Sequence, residues 1–177
     1  MSTIRLRRAT DHAEDLGELI VRMEAVLDPT SDFETMVRPL LEHMLQATGA
    51  ESAFITKIDW DAQTQVILHA VNVDERWSWP EDVAIDWSDT MCRRVFMSGR
   101  EYTEDAVGDF PDSFLATAMV VKTYISVPLR TDEDRLLGTL CAASRSPIPV
   151  DDQRHQVFRL IARIIALRME RAQKGDN

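Results

Sequence analysis

The stretch from Lys122 to Ser144, KTYISVPLRTDEDRLLGTLCAAS, limits most sharply what this chain can fold into. Two apolar segments flank an acidic break at Thr131-Asp132-Glu133-Asp134. From Thr123 to Leu129, Tyr124, Ser126 and Pro128 alternate with Ile125, Val127 and Leu129. Strand-forming residues on both sides of a short polar turn predict an antiparallel hairpin. Leu136 to Ala143, with Gly138 and Cys141 inside it, has no polar face. Such a run reads as a central strand covered on both sides. The rest of the chain must then supply its neighbours in the sheet and the helices that cover them.

Taken in order, the chain provides both. Residues 1–10 are basic and polar. Leu16, Leu19, Ile20, Met23, Val26 and Leu27 form an apolar stripe at helical spacing, stopped at Asp28-Pro29. Ser31 with Glu34 predicts a capping box for a second helix to about Thr48, with Pro39 inside it and Gly49 as its stop. Residues 51–60 and 65–71 predict a strand pair, and 72–87 a long acidic loop carrying Trp77, Trp79 and Trp87. Ser88 is a candidate cap for a helix through about Ser98 that turns Met91, Cys92, Val95 and Phe96 inward. A short edge strand at 101–103, an acidic loop at 104–112 and a short helix at 113–120 lead into the hairpin. A last helix from Asp151-Asp152 to about Ala172 has an apolar stripe too wide for one sheet face. Runs of antiparallel strands interrupted by helices give an α+β class: a sheet of five to six strands, helices on one face and a pocket on the other. The expected organisation is a helical segment at 1–30, one domain at 31–172 and a polar tail at 173–177.

A net charge of -10 and a pI near 4.8 argue against nucleic acid and anionic membranes as partners. Two cysteines do not make a secreted disulfide framework, the N-terminus lacks the apolar core of a signal peptide, and no apolar run approaches ~18 residues. A cytoplasmic protein is expected. Four scattered histidines and the absence of Cys-x-x-Cys give no zinc site, and the acidic loops lack the spacing of a calcium loop. No phosphate-binding or nucleophile-elbow motif supports catalysis, and no cofactor is expected.

Several pieces in a fixed order resemble a GAF domain over roughly residues 31–170. They are LLEHMLQATGAESAFI, WSDTMCRRVFMSGREYTED, TYISVPLR, LLGTLCAASRSP and the long closing helix. The WSDTMC segment and Gly138-Thr139-Leu140-Cys141 look most like GAF domains that precede bacterial diguanylate cyclase modules. Within that family, cyclic-nucleotide binders carry an Asn-Lys-x-Phe-x-Asp-Glu pattern that this chain lacks. Bilin binders carry a Cys-His pair, whereas Cys92 is followed by Arg93 and Cys141 by Ala142. For haem, His69 alone of the four histidines falls on a predicted strand. A GAF-fold enzyme, the free methionine-(R)-sulfoxide reductase, uses loop cysteines in a pattern not found here.

The resemblance implies a pocket lined by Trp87, Asp89, Thr90, Cys92, Tyr102, Asp105, Leu115, Tyr124, Ser126 and Cys141, with Phe114 beside them. It also brings the helix of Cys92 near the strand of Cys141. Arg93 or Arg94 would depress the thiol's pKa, and free N–H groups at Ser88–Thr90 would hold an anion. The expectation is a non-catalytic sensory module of bacterial signal transduction, binding an unknown small molecule or sensing redox state. It would be a homodimer through its terminal helices and pass its signal to a separate partner. The alternatives are a thiol enzyme of the sulfoxide-reductase type, using Cys92, and an interaction module whose pocket is filled by its own side chains.

Overall fold

The computed structural model describes residues 32–175. The helical segment read at 1–30 lies outside them. Helix α1 (Phe33–Thr48) buries Met36, Val37, Leu40, Leu41 and Met44, the residues that share one side at helical spacing. Its cap is Asp32, whose carboxylate accepts from Thr35 N at 2.9 Å. Glu34, read as half of a capping box, pairs instead with Arg38 one turn on. Pro39 lies within the helix without ending it, and Gly49 closes it at φ 74°, a left-handed conformation that costs glycine little.

Six strands follow: β1 (Ser52–Asp59), β2 (Thr64–Asn72), β3 (Ala84–Asp86), β4 (Tyr102–Thr103), β5 (Thr123–Arg130) and β6 (Leu136–Ser144). They form one sheet in the order β3-β2-β1-β6-β5-β4, antiparallel at every pairing. The hairpin β5–β6 lies at its centre, and all nine residues of β6 are buried. β3 falls inside the stretch read as loop. It has three half-buried or exposed residues on the sheet edge, too few to show an alternation in sequence.

Helix α5 (Asp152–Gly175) and α1 cover one face of the sheet. Phe158, Ile161, Ala162, Ile165, Ala166 and Met169 of α5 pack in one apolar layer with Ile125, Val127, Leu140 and Ala142. The opposite face is covered by short pieces: α2 (Met91–Met97), α3 (Ala106–Asp109), α4 (Phe114–Ala118) and the loop between β2 and β3. α3 lies within the acidic loop, where Asp105 caps it. Ser88 does not cap α2. It sits in a 3-10 turn at Trp87–Asp89 whose cap is Asp86, and Thr90 caps α2 by accepting from Arg93 N at 3.2 Å. Among the described residues no helix is long and apolar enough to cross a membrane.

Candidate functional site

Gly138 explains how the covered face acquires a polar centre. A Cβ there would lie 1.9 Å from the backbone oxygen of Thr56, so only glycine lets β6 approach β1 at this point. A register shift between Ile55 and Thr56 lies at the same place. The approach sets Thr139 against Thr56: Thr139 N donates to Thr56 Oγ1 at 2.9 Å, and the two hydroxyls are 2.7 Å apart. Gln65 of β2 reaches in, its Nε2 donating to Thr56 Oγ1 at 2.7 Å and to Thr139 Oγ1 at 3.2 Å. Thr56, Gln65 and Thr139 are all buried.

The proton inventory then points one way. Thr56 Oγ1 already accepts from Thr139 N and Gln65 Nε2, so its own proton goes to Thr139 Oγ1. The Thr139 hydroxyl proton is left for Cys92 Sγ, at 3.2 Å. Tyr124 of β5 places its hydroxyl 3.1 Å from the same sulfur. Cys141, two residues along β6 from Thr139, lies with its Sγ 3.5 Å from Cys92 Sγ. The Cys141 thiol also reaches Thr139 Oγ1 at 3.2 Å and Ser126 Oγ at 3.6 Å. Both cysteines are free thiols, 2% and 0% exposed.

This environment treats the two sulfurs differently. Burial opposes a charge on either. At Cys92 the hydrogen bonds from Cys141, Thr139, Tyr124 and Gln65 overcome it and bring the thiol down to about 6. Cys141 is held well above the ordinary thiol range, by burial first and then by its bond to the Cys92 sulfur and that sulfur's charge. Burial and the two sulfurs raise Tyr124 likewise, so its phenol keeps its proton. The arginines expected to depress Cys92 are not among the causes. Arg94 pairs with Asp112 at 2.8 Å, and the Cys141 thiol, two hydroxyls and an amide lower Cys92 instead.

Aromatic side chains fill the space above this centre. Trp79 stacks on Phe54 at 5.0 Å between centroids and lies 6.0 Å from the Tyr124 ring. Trp77 meets Trp79 edge-on, donates through Nε1 to Met119 O at 2.7 Å, and has the Arg145 guanidinium 5.0 Å above its ring. Both tryptophans are buried, although they belong to a stretch read as loop. The Trp79 indole nitrogen is buried without a hydrogen-bond partner. Two residues past the end of α4, Val120 has a φ of 52°, strained for a β-branched residue.

The structure thus brings Cys92, Tyr124, Ser126 and Cys141 together, with Trp87 and Leu115 in or against the surrounding apolar cluster. Thr90 is buried but engaged in capping α2 and donating to Trp87 O at 3.0 Å. The Ser88 and Thr90 N–H groups expected to hold an anion are taken by Asp86 and by Trp87 O. Asp89 is exposed. Asp105 is also exposed and pairs with Lys122. Tyr102 packs against the α1–α5 layer and meets His155 edge-on at 5.5 Å, while Phe114 is 82% exposed. Thr56, Gln65 and Thr139 were not picked out from sequence. Gly138 was the available signal, since a glycine inside a nearly all-apolar strand marks a close backbone approach. Two open grooves, of about 490 and 550 Å³, lie at the β4–β5 side next to α5, and Glu101 and Arg159 line both.

Fold and centre together define an α+β domain with one dry face and one face that carries polar chemistry. Residues 32–169 match the GAF domain family, and the chain belongs to it. A curated relative, the diguanylate cyclase DgcP of Escherichia coli (strain K12), is 29% identical over 149 residues, which is 84% of this chain. The chain spans 43% of that relative's length. The chromophore-binding domain of a bacteriophytochrome from R. palustris superposes with a TM-score of 0.75 at 14% identity, covering 97% of this chain and 64% of that one. The free methionine-R-sulfoxide reductase of Neisseria meningitidis, in complex with its substrate, gives 0.70 at 18% identity, covering 99% of each chain. At these identities the two structures share the fold with this protein.

Proposed function

We propose that this GAF domain is a redox-sensing module of signal transduction, with Cys92 and Cys141 as its receiving pair. One observation carries the reading: two free thiols on different elements, 3.5 Å apart within a shared hydrogen-bond network. Closing the bond would tie α2 to β6, joining the short cover of the sheet to its centre. Aromatic side chains packed on Tyr124, whose hydroxyl meets Cys92, favour this over a resident small molecule. Kinship with a diguanylate cyclase supports a place in signalling.

The signal would leave through α5. Ser126, beside Cys141, donates its backbone N–H to Glu101 O at 2.8 Å, and the Glu101 carboxylate accepts from Arg159 of α5 at 2.7 Å. A ligand or bond that favours one packing of this link shifts its population. Val157 and Leu160 on the outer side of α5 are 39% and 54% exposed, apolar surface suited to a second helix in a homodimer. Light scattering on reduced and oxidised protein reads that state.

The central test is equilibrium. The protein is held in glutathione buffers from fully reduced to fully oxidised, quenched, alkylated and mapped by mass spectrometry. A Cys92–Cys141 disulfide that opens and closes with the buffer is expected. Two free thiols at every ratio would sink the reading.

A further inference from the structure

We propose that Cys92 reduces hydrogen peroxide, with Cys141 as the resolving thiol and Tyr124 as the proton donor to the departing oxygen. The proposal rests on the redox reading above and adds the oxidant and the division of labour. The geometry assigns the roles. Cys92 Sγ is the meeting point of donors: Thr139 Oγ1 at 3.2 Å, Tyr124 Oη at 3.1 Å and the Cys141 thiol at 3.5 Å. A sulfur so placed is held as the thiolate, the form that attacks. Cys141 remains a thiol and supplies the second pair of electrons.

The reaction balances as follows. The Cys92 thiolate attacks one peroxide oxygen, a sulfur–oxygen bond forms, and the oxygen–oxygen bond breaks. The oxygen that leaves as hydroxide takes the Tyr124 proton and departs as water, and the phenolate is reprotonated from solvent. The Cys141 sulfur then attacks the Cys92 sulfenic acid, giving the disulfide. The thiol proton and the displaced hydroxide leave as a second water. Overall two thiols and one hydrogen peroxide yield one disulfide and two waters. Turnover needs an external thiol to reopen the bond.

Burial selects the oxidant. With both sulfurs at 2% exposure or less, a molecule of about water's size reaches them through a smaller and more frequent local opening than a bulky organic hydroperoxide needs. Trp77 ties its loop to Met119 O, next to Val120, through its indole N–H. The unpartnered Trp79 N–H, beside the Tyr124 ring, is a spare donor for a small polar guest.

The test is stopped-flow oxidation of the reduced full chain, with free cysteine alongside at pH 6.5. Hydrogen peroxide is expected to oxidise the protein about tenfold or more faster than free cysteine, and cumene hydroperoxide to react more slowly than hydrogen peroxide by a similar factor. Cys141→Ser should trap a dimedone-reactive sulfenic acid on Cys92, and Cys92→Ser should leave Cys141 unmodified. Tyr124→Phe, which keeps the ring, should slow the reaction about a hundredfold. A protein rate no greater than that of free cysteine, or a sulfenic acid on Cys141 in Cys92→Ser, overturns the proposal. If glutathione closes the bond and peroxide does not outpace free cysteine, the redox reading stands and this inference falls. If neither reagent closes it, both fall.

Discussion

On one face of the sheet, Ile125, Val127 and Leu140 meet Phe158, Ile161 and Ile165 in an apolar layer under two long helices. On the other, Thr139, Cys141 and Tyr124 come from the same two strands but meet Thr56, Gln65 and Cys92 through hydrogen bonds, under tryptophans and short helices. The strands are shared, so the difference lies in alternate side chains and in what covers them. An apolar layer gains from area alone and tolerates rearrangement. A buried polar centre depends on every donor finding its acceptor, and so holds one arrangement. Stability should reside mainly on the first face and reactivity on the second, and five substitutions probe that division.

Gly138→Ala should have the largest effect, because its Cβ meets the Thr56 carbonyl and the strands on which both faces stand must part. A loss above about 4 kcal/mol is expected in urea denaturation, at the limit of what single substitutions do. Trp79→Ala should cost about 3–5 kcal/mol and make the thiols react faster with a bulky disulfide reagent. Unchanged thiol kinetics in a folded Trp79→Ala protein would show that Trp79 does not shield the pair. Leu140→Ala removes a fully buried side chain from the dry face and should cost about 2–5 kcal/mol, with Cys92 reactivity unaltered. A parallel loss of reactivity would erase the division between the faces.

Thr139→Val sharpens the contrast. It removes a donor to Cys92 and should cost about 1 kcal/mol. Cys92 titrates in the fold at about 6 against an ordinary 9.0, so its stabilising contribution is present above the ordinary value and is lost as pH falls through 6. In Thr139→Val the ultraviolet absorbance of the thiolate should appear at higher pH, and the stability gained on raising pH should shrink. Glu51→Gln should be the mildest. Glu51 holds Arg145, which covers Trp77, and the guanidinium's hydrogen bond keeps its carboxyl below the usual range. A loss of about 1 kcal/mol is expected at neutral pH, shrinking as the solution is acidified below the ordinary carboxyl range, since a depressed carboxyl stabilises above its unfolded pKa and ceases to as pH falls through its folded one.

The hairpin, the glycine stop of α1, the β1–β2 pair and the course of α5 were legible in local patterns. Alternation, glycine stops and apolar spacing report how single elements meet a core. β3 was not legible, because an exposed three-residue edge carries no pattern. Nor was the Asp32 cap, since Ser31 and Asp32 are equally able to cap. The site was half legible. Cys92, Tyr124, Ser126 and Cys141 were named through a family resemblance. Thr56 and Gln65 look like ordinary strand residues until β1, β2 and β6 are laid side by side.

From the residues alone, a nearly all-apolar strand with a glycine inside it is expected at the sheet centre, with one cysteine in it and the other in a helix. Local residue chemistry suffices for that, since burial and backbone approach are written residue by residue. Only the assembled fold sets the two sulfurs 3.5 Å apart, turns Thr139's one free proton to Cys92, and folds Trp77 and Trp79 back into the same buried cluster. Those are relations between residues up to 83 positions apart, such as Thr56 and Thr139, and no local pattern encodes a distance across strands. The depressed thiol follows from that geometry, because its donors come from three different strands.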